Sequence, residues 1–245
     1  MSTSTSSSNS TDHGDDSSSF LYVEWLHAVQ DIVNEPIIID EVPEPPAEVI
    51  SPWLYLSSMY CIRQDSYSKI KGLGITHVLS MNCMNPKRLE EYYWELRSID
   101  IDMKYISTLD QENYNIIEQH WDECYEYLKE IYDSYHRHHI DSSSNNNNNN
   151  NNNEKGDEQE RQEEHEQQPQ KKVVVHCVEG INRSGLIVAA AMIYFEKMLV
   201  LDVVKRLKKL RGHILSNKSF QKQLILFAAK HDLLGPKPEN PNKPT

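Results

Sequence analysis

A cysteine and an arginine six positions apart, Cys177 and Arg183, carry the strongest chemical signal in the chain. Gly180 lies midway between them. The apolar run Val173–Val175 precedes the pair, and the small and apolar stretch Leu186–Phe195 follows it. This pattern predicts a strand, a tight loop and a helix, with a thiol, a guanidinium and backbone amides gathered at the helix N-terminus. Such an arrangement binds a phosphate group.

The residue types in this loop suit nucleophilic attack on phosphorus. The thiolate is the reactive form of cysteine, and a helix N-terminus and a nearby arginine both favour the anion. The planar fork of Arg183 can hold two phosphate oxygens at once. Gly180 is expected where the chain needs an unusual dihedral angle or a close approach to the ligand. Ser184 is expected to hydrogen-bond the sulfur or help it leave, and His176 to orient the loop.

The cysteine–arginine spacing alone is a weak pattern. A buried cysteine at a strand end beside a surface arginine would also produce it. The preceding strand, His176, Gly180, the Arg183–Ser184 pair and the following helix favour the catalytic interpretation. The five residues between the thiol and the guanidinium would supply the backbone amides of the phosphate site: Val178, Glu179, Gly180, Ile181 and Asn182.

The stretch His176–Gly185 resembles the active-site signature of the cysteine-based protein tyrosine phosphatase superfamily, His-Cys-x5-Arg-Ser/Thr. Within that superfamily the chain most resembles the small, atypical dual-specificity phosphatases. Other segments are similar to that family's opening strands and helix, general-acid loop and closing helix: 50–56, 73–79, 106–110 and 217–224. The resemblance covers 49–234, apart from one insert.

The resemblance implies that Asp110 is the general acid and base of a two-step reaction. Cys177 would attack phosphorus while Asp110 protonates the leaving oxygen, and Arg183 and the loop amides would stabilise the transition state. Asp110 would then activate the water that hydrolyses the phosphocysteine. From the residues alone two alternatives stay open, because Asp110 could be a helix N-cap and Glu112 could be the acid.

Two features of the loop bear on the substrate. Asn182 stands where dual-specificity members often carry Ser or Gly. Glu179 places an acidic side chain where lipid-directed relatives tend to carry lysines. Val178 and Glu179 therefore argue against a phosphoinositide substrate.

The resemblance implies a metal-independent protein phosphatase, without a cofactor, that acts on phosphotyrosine and on phosphoserine or phosphothreonine. The short domain favours dual specificity, because tyrosine-only members have a larger domain with an extra recognition loop. The expected partner is a phosphoprotein, with a protein kinase as a candidate, and neither a membrane nor a nucleic acid is expected. Two alternatives stay open. The Gly-x-Asn-Arg-Ser-Gly part of the loop is similar to RNA 5′-triphosphatases, and a pseudophosphatase would bind phosphoproteins without turnover.

The other cysteines and histidines are interpreted as structural. His120 and Cys124 are four residues apart and could ligate zinc, but a partly exposed face and a core face of one amphipathic helix explain them better. Cys83 or Cys124 could protect an oxidised Cys177 as a disulfide, with core packing as the alternative.

Charge is distributed unevenly along the chain, whose 245 residues carry a net charge of −12. Residues 1–50 hold ten acidic residues and no Lys or Arg, whereas 173–245 hold 12 Lys or Arg and 5 Asp or Glu. A local positive field suits a phosphate dianion. The solvated face of a helix explains the basic run 205–211 at least as well.

Cysteine usage and apolar content bear on location. Four cysteines without a disulfide-rich spacing, and a Ser/Thr-rich rather than apolar start, predict a reducing location in the cytoplasm or also the nucleus. The longest apolar stretch, 185–195, is well below the roughly 20 residues that span a bilayer.

Composition divides the chain into parts. These are a disordered Ser/Thr-rich tail (1–19), a helix with an acidic, Pro-containing linker (20–48), the catalytic domain (49–234) and a flexible tail (235–245). The helical period at Phe20–Val33 is expected to pack on the domain rather than bind a partner. The segment 141–170 includes nine consecutive asparagines and is expected to be a disordered insert.

Apolar strands alternate with helical periods through the domain. The predicted fold class is therefore α/β, with a central, mostly parallel sheet flanked by helices as in protein tyrosine phosphatases. Strands are expected at 54–56, 76–81, 102–106 and 173–175, and helices at 67–73, 89–97, 116–135, 184–197, 202–210 and 220–233. The active site should lie at the C-terminal end of its strand.

Overall fold

The fold is built on one five-stranded sheet, and the computed structural model describes residues 22–37, 46–144 and 170–239. The strands are β1 (Ala47–Ile50), β2 (Leu54–Ser58), β3 (His77–Asn82), β4 (Asp102–Ser107) and β5 (Val173–Cys177). Their order is β1-β2-β5-β3-β4, with β1 antiparallel to β2 and the other neighbours parallel. The predicted α/β class with a mostly parallel sheet is confirmed.

Strand β5 is the central strand of this sheet. Its first residue, Val173, pairs with Leu54 of β2 on one side and with His77 of β3 on the other. The run Val173–Val175 is fully buried, because helices cover both faces of a mostly parallel sheet. Strand β5 ends at Cys177, so the Cys177 thiol lies at the carboxyl edge of the sheet.

Helices cover both faces of the sheet. They are α1 (Val23–Asn34), α2 (Tyr67–Gly72), α3 (Pro86–Arg97), α4 (Ile116–Ser144), α5 (Arg183–Glu196), α6 (Val200–Arg211) and α7 (Lys218–Lys230). On one face, α2 and α3 bury Ile70, Tyr92 and Leu96 against Val174. On the other face, α1 and α4–α7 form the larger core with Val175.

Helix α5 lies inside the larger core. Every side chain from Ser184 to Ile193 is buried. A helix that is apolar on all sides must be surrounded by protein, and α5 contacts β5, α4, α6 and α7. The loop between β5 and α5 is therefore held between a fully buried strand and a helix that is buried from Arg183 to Ile193.

Helix α1 packs on the domain, as predicted. Val29 and Ile32 are part of the larger core. The indole N–H of Trp25 donates to the carbonyl of Leu234 at 3.1 Å, and Lys208 Nζ donates to the carbonyl of Val33 at 2.7 Å. Apolar burial and these two bonds attach α1 to α6 and to the segment after α7.

Several element boundaries differ from the prediction. The sheet begins at Ala47, two residues before the predicted domain start, because β1 pairs with β2 through Ala47 and Leu56. Helix α4 continues to Ser144, four residues into the segment predicted to be disordered from 141. Helix α3 begins at Pro86 rather than 89, because the Asn85 side chain accepts from the backbone N–H of Arg88 and caps the helix.

The remaining predictions on chain organisation concern residues outside the described ranges. They are the tail 1–19, most of the linker, the insert from 145 to 169 and the last residues of the C-terminal tail. Among the helices that the structure describes, none has the length and apolar character needed to cross a bilayer.

Candidate active site

The loop between β5 and α5, which we name the phosphate loop (178–182), surrounds the sulfur of Cys177. The Cys177 residue is only 2% exposed. The backbone N–H of Gly180 donates to Sγ at 3.2 Å, and the hydroxyl of Ser184 donates to Sγ at 3.3 Å. Helix α5 begins at Arg183, so the positive end of its dipole faces the same point. Both donors and the N-terminus of α5 point at the sulfur, and the Ser184 contact is the one expected from the sequence.

The carbonyl groups of the loop show which way its amides point. The carbonyls of Val178, Glu179 and Ile181 accept hydrogen bonds from the surrounding Met59 N–H, Arg211 Nη2 and Leu215 N–H. In a trans peptide the C=O of one residue and the N–H of the next point in opposite directions. The N–H groups of Glu179, Gly180 and Asn182 therefore face the inside of the loop, as the bond from Gly180 to the sulfur illustrates.

Gly180 is required by the backbone for two reasons. Its φ is +71°, a region that L side chains rarely adopt. A Cβ at this position would lie 2.5 Å from the carbonyl oxygen of Ser57 in β2. The sequence predicts an unusual dihedral angle or a close approach to a ligand at this position. The structure has both a positive φ and a close approach, but the atom approached is the Ser57 carbonyl rather than a ligand.

Arg183 is buried with part of its donor capacity unused. The residue is 8% exposed, and its Nη1 donates to the carbonyl of Thr108 at 3.3 Å. Its Nε has no hydrogen-bond partner among the described residues. A buried N–H without a partner is costly, and a phosphate oxygen beside the loop would satisfy it.

His176 is a neutral, fully buried residue. Burial lowers the pKa of its imidazole to about 4, and the nearby Arg183 acts in the same direction. Its Nε2 lies 3.4 Å from the Tyr92 hydroxyl, and its Nδ1 lies 3.4 Å from the carbonyl of Cys177. Because burial also raises the pKa of Tyr92, the phenol stays protonated and donates to Nε2. His176 then donates from Nδ1, which suits the predicted loop-orienting role.

Asp110 reaches the phosphate loop from the segment between β4 and α4. Its Oδ2 accepts from Asn182 Nδ2 at 3.0 Å, and its Oδ1 accepts from Asn217 Nδ2 at 3.0 Å. Glu112, the alternative acid, is exposed and makes no hydrogen bond or ion pair to the loop in the described part of the chain. Asp110 is thus the carboxylate that the fold attaches to the residue beside Arg183.

The family comparison covers the segment that contains the loop between β5 and α5. Residues 136–230 match the family model described as dual specificity phosphatase, catalytic domain. The matched segment contains Cys177 and Arg183 but does not reach Asp110. The recognition made from the signature in the loop is therefore confirmed at the level of the family. No curated protein sequence matches the chain significantly.

Solved structures of phosphatases and of a phosphatase-like protein share the fold. The crystal structure of DUSP15 has a TM-score of 0.50 at 21% identity, covering 76% of this chain and 89% of that one. OH1 from the Orf virus, described as a tyrosine phosphatase with triple substrate specificity, has a TM-score of 0.53 at 16% identity, covering 86% and 99%. The human tyrosine phosphatase-like serine/threonine/tyrosine-interacting protein has a TM-score of 0.50 at 19% identity, covering 76% and 96%. At these identities the likeness establishes the fold alone.

Cys124, His120 and Cys83 lie in different environments. Cys124 is buried against Met81, and burial raises the pKa of its thiol, so its predicted core position is confirmed. The Nε2 atom of His120 lies 2.6 Å from the Tyr114 hydroxyl. Cys83 is exposed. Among the described residues, no group of three or more His, Cys, Asp or Glu is arranged to hold a metal ion.

Sequence reasoning missed several neighbours of the phosphate loop. Arg211, treated as part of a solvated helix face, donates from Nη2 to the Glu179 carbonyl at 3.3 Å, and burial lowers its pKa. Tyr92 carries no local signal that it contacts His176. Asn217 does carry a signal, since an asparagine before an amphipathic run is a typical N-cap, but the cap does not announce a contact with Asp110.

Proposed function

We propose that this protein is a metal-independent dual-specificity phosphatase that hydrolyses phosphotyrosine and phosphoserine or phosphothreonine through a phosphocysteine intermediate. The observation that carries the proposal is the attachment of Asp110 to Asn182 at 3.0 Å, next to Arg183 in the loop that surrounds the Cys177 sulfur. A nucleophile, a phosphate-binding guanidinium and a proton donor are thereby gathered in one place.

In the first step the Cys177 thiolate forms a bond to phosphorus as the bond to the leaving oxygen breaks. Asp110 transfers its proton to that oxygen, so the dephosphorylated side chain leaves as a neutral alcohol or phenol. Arg183 and the inward-facing amides of the loop hold the phosphoryl oxygens, whose charge is spread out in the transition state.

In the second step water attacks the phosphocysteine. Asp110, now ionised, accepts a proton from the water, and the sulfur leaves as a thiolate. The Ser184 hydroxyl, 3.3 Å from Sγ, stabilises the departing sulfur. Inorganic phosphate and the free enzyme result, and no metal or redox cofactor enters either step.

Dual specificity is supported by the short connections around the site. The acid loop has only eight residues between β4 and α4, and 3-10 turns rather than a long recognition loop follow β2. A shallow cleft would admit phosphoserine and phosphothreonine, whose side chains are shorter than phosphotyrosine. We propose a phosphoprotein, with a protein kinase as a candidate, as the substrate. The reactive thiol fits the reducing cytoplasm or nucleus.

The test is phosphate release from a peptide that carries both phosphothreonine and phosphotyrosine, in the presence of EDTA. The wild type should release phosphate from both positions, and Cys177→Ser should release none while still binding the peptide. Release from phosphotyrosine alone would refute dual specificity. Binding without release by the wild type would support a pseudophosphatase, and greater activity on 5′-triphosphate RNA than on the peptide would support the RNA triphosphatase alternative.

A further inference from the structure

Two asparagine side chains hold the Asp110 carboxylate. Each carboxylate oxygen accepts one amide N–H, Oδ2 from Asn182 and Oδ1 from Asn217, both at 3.0 Å. The orientation of both amides follows from these bonds, because only the NH₂ group of an amide side chain can donate a hydrogen bond. The nitrogen of each amide must therefore face Asp110 and its oxygen must face elsewhere.

The oxygens of both amides are also occupied. Asn182 Oδ1 accepts from the backbone N–H of Asn217 and from the Ser216 hydroxyl, each at 3.1 Å. Asn217 Oδ1 accepts from the backbone N–H of Ser219 at 3.0 Å, which caps α7. Neither amide can rotate without breaking bonds at both ends. The phosphate loop, the acid loop and the start of α7 are thus joined at one point.

Helix α7 also holds the far end of the acid loop. Gln223, which is 8% exposed, donates from Nε2 to the carbonyl of Tyr114 at 2.9 Å. Its Oε1 accepts from the backbone N–H of Ile117 at 3.2 Å. The segment between β4 and α4 is therefore attached to α7 at two places, once at the acid itself and once at the first turn of α4.

We propose that Asn217, together with Asn182, is a positioning residue that holds Asp110 over the phosphate loop before substrate binds. This inference rests on the proposed function of Asp110 as the general acid. Because the acid loop is already attached, little orientational freedom is lost when substrate binds. Each carboxylate oxygen has a second acceptor site, so one oxygen can carry and transfer the proton while the other keeps its amide bond.

The positioning role can be separated from the helix-capping role of the same side chain. Serine caps a helix about as well as asparagine but lacks the amide N–H that reaches Asp110. Asn217→Ser should therefore preserve α7 and remove only the bond to the carboxylate. Asn115 offers a matched control, because its Oδ1 accepts from the N–H of Glu118 in the same capping manner and its Nδ2 bonds Glu118, not Asp110.

The readout is the dependence of kcat on the leaving group. Protonation matters for phenyl phosphate, whose phenolate is a poor leaving group, and far less for p-nitrophenyl phosphate. General acid catalysis contributes about 100-fold or more, so we expect Asn217→Ser to lower kcat on phenyl phosphate by about tenfold or more, and on p-nitrophenyl phosphate by less than about threefold. KM and the urea unfolding midpoint should stay close to the wild type.

Four outcomes would overturn the inference. Equal losses of kcat on both substrates would indicate a structural role for Asn217, and results identical to those of Asn115→Ser would indicate none. If Asp110→Asn shows no leaving-group dependence, Asp110 is not the general acid and the inference fails while the role of Cys177 stands. Failure of the wild type to hydrolyse either phosphate would overturn the proposed function together with the inference.

Discussion

Replacing Gly180 with alanine tests how the phosphate loop is built. The φ of +71° at this position costs an L residue about 1–2 kcal/mol. The new Cβ would also lie 2.5 Å from the oxygen and 2.6 Å from the carbon of the Ser57 carbonyl, and 2.9 Å from Arg211 Nη2. The Arg211 side chain can move aside, but the Ser57 carbonyl belongs to β2 and is held in the sheet.

Relief of this contact therefore requires movement of the loop. Overpacking in a rigid setting costs about 1–3 kcal/mol. Added to the dihedral cost, it gives an expected loss of about 2–5 kcal/mol in the free energy of unfolding. The movement would also break the bond from the Gly180 N–H to the Cys177 sulfur, and removal of one such donor lowers kcat by about 100-fold or more.

Gly185→Ala is the matched control in the first turn of α5. An added Cβ there meets no atom closer than Leu215 Cδ2, at 4.0 Å, and the backbone has no positive φ. Alanine is favoured over glycine in a helix by about 1 kcal/mol, so this variant should be as stable as the wild type or more so. Urea unfolding and turnover of p-nitrophenyl phosphate measure both quantities. A Gly180→Ala variant within about 0.5 kcal/mol of the wild type, with normal turnover, would refute the reasoning.

Three further predictions follow from single contacts. Burial lowers the pKa of His176 from 6.5 to about 4, so the unfolded chain takes up a proton at a higher pH than the folded chain does. The free energy of unfolding should therefore fall by up to about 3 kcal/mol as the pH drops from 6.5 to 4. His176→Gln should flatten this pH dependence in urea titrations, and an unchanged slope would contradict the prediction. Arg183→Lys keeps the charge but loses the fork, so kcat on p-nitrophenyl phosphate should fall by about 100-fold with an unchanged unfolding midpoint, and near-normal kcat would argue against bidentate phosphate binding. Trp25→Phe removes the N–H that bonds Leu234 and should cost about 1 kcal/mol of stability without changing kcat; a loss of activity would mean that α1 influences the site.

The parts of the site that are contiguous in sequence could be predicted from sequence. The apolar run of β5, the loop around Gly180 and the buried helix α5 follow one another within 24 residues, from Val173 to Glu196. Each has a local cause, namely an unbroken β-branched run, a backbone that only glycine fits and an apolar stretch of helical length. The family resemblance implied that Asp110 is the general acid. The residues alone left that role open, because Asp110 could be a helix N-cap and Glu112 could be the acid.

The parts that depend on distant contacts could not be predicted. Asn182 and Asn217 are 35 positions apart, and Asn217 is 107 positions from Asp110. Tyr92 and His176 are 84 positions apart and meet because α3 packs on β5. Nothing in the local composition marks a side chain whose partner comes from another element. The early start of α3, by contrast, could have been predicted from Asn85, a typical N-cap, and from the proline that follows it.

The two halves of the site have different structural origins, and α7 joins them. The thiol and guanidinium come with β5 and α5 and would be in place wherever that strand and helix pack together. Asp110 arrives from the other side, after β4, and its carboxylate is fixed by Asn217 while Gln223 fixes the end of its loop. Phe220, fully buried, anchors α7 in the core between these two contacts. Asn182 links the phosphate loop to Asp110 directly, and packing of α7 on the core adds the second and third attachments of the acid loop.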